Sequence, residues 1–355
     1  MKKIRIVLVV SLLMMGGCKT DPESGDSTKQ SSKNAAVHVK SGEYITAEAK
    51  ERQEGEKLLA LELTVKNKAS KSQKISTSDF SLYDDEGNKI DWQHIYTDDD
   101  AFKQLKTSKI GSEKSVTGYL VFPVAQKKNY ELAYEPESDE EEDLKVRITP
   151  KDYPDHSEEM KQLVSSYVDQ VFLEKEVDSK ESKLTLGNDT KQDNIDFRQQ
   201  YMDALKQALQ YYEPSSNELE NVVTHYIDAN AQNSQIEYTV SEVTPHRAVV
   251  HIIPKIVHLA NIDNSEAANK FIEESIGKYN GDTEAIGRDA EKYLMQEEPK
   301  LYQGIEASLP PKMKPEGYTV ILTKQQGKWT LDTSDSPENQ DFPEIIKAFM
   351  GAADV

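Results

Sequence analysis

Leu58-Leu59-Ala60-Leu61-Glu62-Leu63-Thr64-Val65-Lys66-Asn67 alternates in polarity. Side chains two apart share a face of an extended chain, so Leu59, Leu61, Leu63 and Val65 line one side, with Glu62, Thr64 and Lys66 on the other. The stretch reads as a half-buried antiparallel strand. Phe80-Ser81-Leu82-Tyr83 runs into Asp84-Asp85-Glu86-Gly87-Asn88, a turn cluster whose Gly87 can take a positive φ. Val116–Val124, Tyr130–Tyr134 and Leu144–Ile148 complete the set. Short strands separated by turns, with no helical period, predict an all-β sandwich over residues 37–149.

The succession LALELTVKNKASKSQKISTSDFSLYDDEGNKI, followed by GSEKSVTGYLVFPVAQKKNYELAYEP, resembles the telokin-like, immunoglobulin-type domains of unknown function of Gram-positive surface lipoproteins. The features in common are the strand ending Val65-Lys66-Asn67, the Asp79-Phe80-x-Leu82-x-Asp84 segment with its glycine turn, and the stretch from Gly111 through Gly118 to Phe122. The resemblance implies an immunoglobulin-like sandwich, here without the antibody cysteine pair and core Trp arrangement. It implies no activity, because function resides in sites grafted onto folds.

Pro150–His156 (PKDYPDH) marks a boundary, after which the period becomes 3.6. Met160, Leu163, Val164, Tyr167, Val168 and Val171 form one helical stripe. Tyr201, Ala204, Leu205, Ala208, Leu209 and Tyr212 form a second. Leu219, Val222, Val223, Tyr226 and Ile227 form a third, just after Pro214-Ser215-Ser216, a capped start. Ile236, Tyr238 and Val240 alternate, and Arg247–Ile253 is nearly continuous and apolar. Residues 264–297 return to helix, with Phe271, Ile272, Ile276 and Tyr279 on one face. Tyr318–Thr323 and Lys328–Leu331 make a hairpin, and a last helix runs from Phe342 to Met350. Residues 150–355 are therefore expected to form an α+β domain with a small antiparallel sheet, which makes the chain multidomain. This half resembles the C-terminal domain of unknown function that accompanies the same immunoglobulin-like module. Gly327-Lys328-Trp329 also resembles the last hairpin of α+β domains similar to nuclear transport factor 2, from which no pocket residue is carried over.

The N-terminus has its own grammar. A basic Met1-Lys2-Lys3-Ile4-Arg5 precedes the apolar run Ile6–Met15 and then Gly16-Gly17-Cys18. A spanning helix needs about 20 apolar residues, which this run does not supply. Residues 1–17 read as a secretory signal peptide, and its end resembles the lipobox of bacterial lipoproteins. That resemblance implies cleavage before Cys18, the one cysteine of the chain, and a diacylglyceryl group on its sulfur. Two acyl chains hold a protein firmly to a bilayer where one holds it marginally. Residues 18–36 lack any large apolar side chain and are expected to form a flexible tether. The expected location is the extracellular face of the cell membrane.

Losing Lys2, Lys3 and Arg5 takes the formal charge from −20 to −23. Such an acidic surface repels nucleic acid and anionic headgroups. It favours solubility, loosely held cations or a basic partner.

Candidate chemistry is sparse. Asp98-Asp99-Asp100 offers oxygen ligands, yet lacks the glycine and distal Glu of a calcium loop and reads as a solvated loop. Glu140-Glu141-Glu142-Asp143 reads the same way. His246, His251 and His258 have odd separations and no acidic residue or cysteine at ligand spacing, so no metal is assigned. Gly277-Lys278-Tyr279-Asn280-Gly281 reads as a helix linker, not a phosphate cradle. Tyr201, Tyr211 and Tyr212 crowd one helix and read as edges of the core. No catalytic residue and no cofactor is assigned. The expected function is a tethered, non-catalytic binding module of the cell envelope, docking an envelope protein or a wall polymer. An enzyme or a small-ligand pocket in residues 150–355 is the alternative. A transport substrate-binding role fits less well, because two lobes of alternating strand and helix are missing.

Overall fold

The computed structural model describes residues 28–48, 54–136, 143–177 and 184–351. The N-terminal module has two four-stranded antiparallel sheets. One runs in the order β1 (Lys29–Ser31), β2 (Ala35–Ile45), β3 (Glu56–Asn67) and β8 (Ser115–Ala125). The other runs β10 (Leu144–Ile148), β9 (Tyr130–Tyr134), β5 (Phe80–Asp84) and β6 (Lys89–Ile90). A separate ribbon pairs β4 (Gln73–Ile75) with β7 (Ser108–Ile110).

The two sheets share one core. Leu59, Leu61, Leu63 and Val65 of β3 and Phe122 of β8 pack with Leu82, Leu132, Tyr134 and Val146 of the opposite sheet, each no more than 1 % exposed. At about 1.5–3 kcal/mol for each large apolar side chain buried, this seam holds the module together. It is the sandwich that the alternation predicts, and Gly87 takes its positive φ of 81° in the β5–β6 turn.

Strand β3 is more enclosed than a half-buried strand. Leu58 and Ala60, on its other face, are also fully buried, because Ile95 and Phe102 lie over them. The covering segment then crosses β8, where the Leu105 N–H donates to Tyr119 O (2.8 Å) and the Tyr119 N–H to Lys103 O (2.9 Å). The approach is so close that a Cβ on Gly118 would sit 2.7 Å from the Leu105 main chain. Only glycine fits there.

The tether expected over residues 18–36 gives up its last part to the sheet. Lys29–Ser31 pair with β2, and Ala35 is 1 % exposed. Main-chain pairing to β2, not side-chain burial, holds this short strand. Side-chain periodicity carries no signal for it.

In the C-terminal module, α1 (Ser157–Val171), α2 (Thr190–Ala208) and α3 (Ser216–Asn233) precede β11 (Gln235–Val243) and β12 (Arg247–Lys255). Then come α4 (Ser265–Ser275), α5 (Thr283–Glu297), β13 (Tyr318–Gln325), β14 (Lys328–Leu331) and α6 (Asp341–Phe349). The sheet is antiparallel in the order β11-β12-β13-β14. Every residue of the first and third predicted stripes is buried, on α1 and α3. Helix α3 starts on a capping box: the Ser215 hydroxyl accepts from the Glu218 N–H, and the Glu218 carboxylate accepts from the Ser215 N–H.

The second stripe is corrected. Helix α2 ends at Ala208 and buries Phe197 and Tyr201, while Ala204, Leu205, Ala208, Leu209 and Tyr212 stay partly or fully exposed. Periodicity reports which residues share a face, not how far the neighbouring elements extend along it.

The two edges of the sheet differ. At β14 the Gly187 N–H donates to Trp329 O (2.7 Å) and the Leu331 N–H to Asn188 Oδ1 (2.8 Å), so Thr185–Asn188 cover that edge. No helix among the described residues is long and apolar enough to cross a membrane.

Candidate functional site

Among the described residues the most exposed large apolar side chain, Ile276, lies on the α4–α5 hairpin. Neither helix buries a residue. Ile272 is 59 % and Ile276 79 % exposed. The helices hold each other through Phe271 and Tyr293, with ring centroids 5.6 Å apart, and through Tyr279, whose hydroxyl donates to Asp289 (2.9 Å). Asp282 caps α5 by accepting from the Ala285 N–H, and residues 277–281 link the two helices as their glycines suggest. The expected helical face ends early: α4 stops at Ser275, Ile276 caps it with ψ 121°, and Ile272 and Ile276 both stay exposed. Glu273 and Glu274, both exposed, lie between them in the sequence.

A carboxylate helps fasten the hairpin to the module, alongside Met295 against the core and Lys292 over the Tyr212 ring. Glu291 accepts three successive main-chain N–H groups, from Gln210 (2.9 Å), Tyr211 (2.8 Å) and Tyr212 (2.7 Å). Beside it the Tyr211 ring packs on Gly287, where a Cβ would lie 2.5 Å away. The tyrosines expected to crowd one helix therefore divide. Tyr201 is buried in the core, while Tyr211 and Tyr212 follow the end of α2 and form the seat of the hairpin. Burial works against the Glu291 charge, but the three N–H donors prevail and lower its pKa from 4.5. Between that folded value and 4.5 the unfolded chain holds the extra proton. The stabilisation is thus complete above 4.5 and fades as pH falls through the folded value. Glu291→Gln is expected to mimic acid at neutral pH, with thermolysin cutting the 276–282 linker several-fold faster while the sandwich fragment stays resistant.

A second polar cluster joins the modules. Thr46 and Val243 exchange main-chain bonds, N–H to O at 2.9 and 2.8 Å, so the end of β2 continues the C-terminal sheet at β11. The Tyr44 N–H donates to Pro154 O (2.9 Å), and Lys57 pairs with Asp155 (2.6 Å). Within the aspartate triplet the three side chains diverge. Asp98 is 91 % exposed, whereas the Asp99 side chain is 4 % exposed. Asp99 accepts from the Ala101 and Phe102 N–H groups (2.9 and 3.1 Å) and from the Thr244 hydroxyl of the other module (2.6 Å). The solvated-loop reading is therefore corrected at its central residue. Thr97 donates to Glu242 (2.6 Å), which also holds Arg247 (2.7 Å). Burial pushes the nearby Glu43 carboxyl upward, against the pull of Lys324, His156 and His246.

The three histidines go to three places. His246 sits in the β11–β12 turn with Nδ1 3.6 Å from Asp99. His251 lies on β12 opposite Thr239 and Thr319. His258 is 3 % exposed, with Nε2 3.2 Å from Ser308 O, and burial lowers its pKa. Among the described residues no three His, Cys, Asp or Glu side chains converge to hold a metal ion. Cys18 and the signal peptide over residues 1–17 lie outside the described residues, as do Glu140, Glu141 and Glu142. An open hollow of about 470 Å³ lies on the C-terminal module at Glu174, Thr190, Asn194 and Ile195. A larger cleft of about 650 Å³, with Tyr83, Lys145 and Arg147 on its walls, belongs to the sandwich.

Residues 23–143 match the family described as Domain of unknown function (DUF4352), and residues 152–350, more than half of the chain, match Domain of unknown function (DUF5105). An uncharacterized lipoprotein of Bacillus subtilis strain 168, YcdA, is 27 % identical over 369 residues, spanning 98 % of this chain and 99 % of the relative. The crystal structure of a ycdA lipoprotein from Bacillus subtilis subsp. subtilis str. 168 is 23 % identical with a TM-score of 0.66, and covers 91 % of this chain and 98 % of that one. Both modules thus occur together in a solved relative of the same fold.

Proposed function

Because this chain belongs to the family described as Domain of unknown function (DUF5105), here behind a DUF4352 match, we propose that it is a lipid-anchored envelope protein that docks a partner protein. Residues 1–17 are the leader, Cys18 carries the diacylglyceryl group, and the chain from there to about residue 28 is the tether. The sandwich module, which takes in Lys29–Ser31 and Ala35 as well as residues 37–149, and the module 150–355 stand on the extracellular face of the membrane. The lipid attachment is supported by the Gly16-Gly17-Cys18 ending and by a relative of matching length that is named a lipoprotein.

The observation that carries docking is the α4–α5 hairpin. Ile272 and Ile276 are exposed to water on a hairpin whose two helices bury no residue, which supports an interaction surface. Glu273 and Glu274 beside them suit an apolar recess rimmed by basic groups.

The test uses intact cells. A photo-crosslinking residue at Ile276 of the full chain is expected to give one discrete protein adduct, lost with Ile272→Asp, whereas the same residue at exposed Lys328 gives none. In the same cells Cys18→Ser is expected to move the protein from the membrane to the soluble fraction. No adduct at Ile276 sinks the docking reading, and membrane retention of Cys18→Ser sinks the anchor.

A further inference from the structure

Strand β11 forms one edge of the C-terminal sheet. An edge strand presents a row of unpaired N–H and C=O groups, and proteins blunt such edges with Lys, Pro, bulges or cover. This sheet covers β14 with Thr185–Asn188. Strand β11, QIEYTVSEV, has neither Lys nor Pro, and along its outer edge the described residues bridge it only at Val243, where Thr46 pairs with it. The register shift falls between Val240 and Glu242, so Gln235–Val240 remains a regular strand.

Burial says the same. Ile236, Tyr238 and Val240 turn toward the core but stay partly exposed. Their register partners on β12, Pro254, Ile252 and Val250, are buried. The side chains of β11 are therefore open laterally, along the edge. Pro254, opposite Ile236, has no N–H to give, which fits a register in which Ile236, Tyr238 and Val240 direct their main-chain groups away from β12. Glu237 is exposed and has no ion-pair partner among the described residues.

We propose that Gln235–Val240 takes an extended polypeptide segment of a partner as a fifth strand, one that alternates apolar and basic side chains. The bond pair Thr46–Val243 shows that this edge already accepts an antiparallel bridge, and the stretch left unpaired by the described residues continues directly from it. Main-chain bonds supply affinity in such augmentation, and the side-chain pattern supplies choice. Apolar residues extend the row of Ile236, Tyr238 and Val240, and a basic residue meets Glu237. A second copy of this chain would set one acidic β11 against another.

The probe is a peptide of about nine residues alternating Val and Lys, added to the full chain and read by hydrogen exchange. Exchange is expected to slow about tenfold across Gln235–Ser241 and nowhere else. The same peptide with alternate N-methylated amides keeps the charge but not the donors, and is expected to protect nothing. Glu237→Lys, an exposed change that leaves the core intact, is expected to weaken the probe about tenfold. Equal protection by both peptides, protection outside β11, or no protection overturns the proposal. So does protection that rises with protein concentration without peptide, because the occupant is then a second copy.

Discussion

Asp99→Ala is expected to part the two modules. The Asp99 carboxylate, 4 % exposed, is the acceptor for two N–H groups of its own loop and for the Thr244 hydroxyl across the junction. Removing it leaves the Ala101 and Phe102 N–H groups and one hydroxyl without that acceptor in a closed space. Hydrogen bonds to a charged group are worth about 1.5–3 kcal/mol each, and stranded donors cost about 1–3 kcal/mol. Thr244 keeps Arg247 O as a second partner (3.0 Å), so the expected loss is about 3 kcal/mol, not the full sum. Thr46–Val243, Thr97–Glu242 and Lys57–Asp155 remain, but Lys57 is half exposed and its ion pair contributes little. Urea unfolding is expected to split into two transitions, and the radius of gyration in solution to rise. Asp99→Asn keeps an oxygen for the two N–H groups and should lose about a third as much. Asp98→Ala, at a 91 % exposed side chain, should lose nothing measurable. A single unchanged transition in Asp99→Ala would show that the carboxylate does not couple the modules.

Trp329→Ala should be the most damaging single change in the C-terminal module. Trp329 is 1 % exposed and belongs to the cluster that gathers α1, α2, α3, α6 and the sheet. Truncating a buried Trp costs about 3–5 kcal/mol, because its transfer energy is lost and a cavity remains. Its main chain also carries the cover of the sheet edge, so the cavity opens beside Thr185–Gly187. The indole Nε1 has no hydrogen-bond partner among the described residues. Trp329→Phe therefore removes volume but strands no donor, and is expected to cost about 1–2 kcal/mol. Urea midpoints followed by far-ultraviolet circular dichroism would order the three proteins as wild type, Phe, then Ala. A Phe variant as unstable as Ala would mean that the indole N–H is satisfied after all.

Much of this was readable along the chain because it is local. The alternation at Leu59–Val65 places a sandwich strand, the stripes at Met160–Val171 and Leu219–Ile227 place two core helices, and Pro214-Ser215-Ser216 marks where one begins. In each case one physical preference, an apolar face seeking cover, is written into residues a few positions apart. Gly118 shows the limit. Its place in the family pattern is visible, yet the reason, a main chain crossing at 2.7 Å, is not.

Where a face finds no cover, or a polar residue finds an unexpected one, the amino-acid order is silent. Ile272 and Ile276 share the spacing of core residues and end in water, while Asp99 looks like its two neighbours and ends enclosed. The short strand Lys29–Ser31 has no side-chain signature at all, because its pairing is made by the main chain. The local patterning of the core strands and helices was decided residue by residue. The junction at Asp99, the seat of the hairpin on Glu291 and the vacancy along β11 were decided by the fold, since each depends on groups that meet only after distant segments have packed.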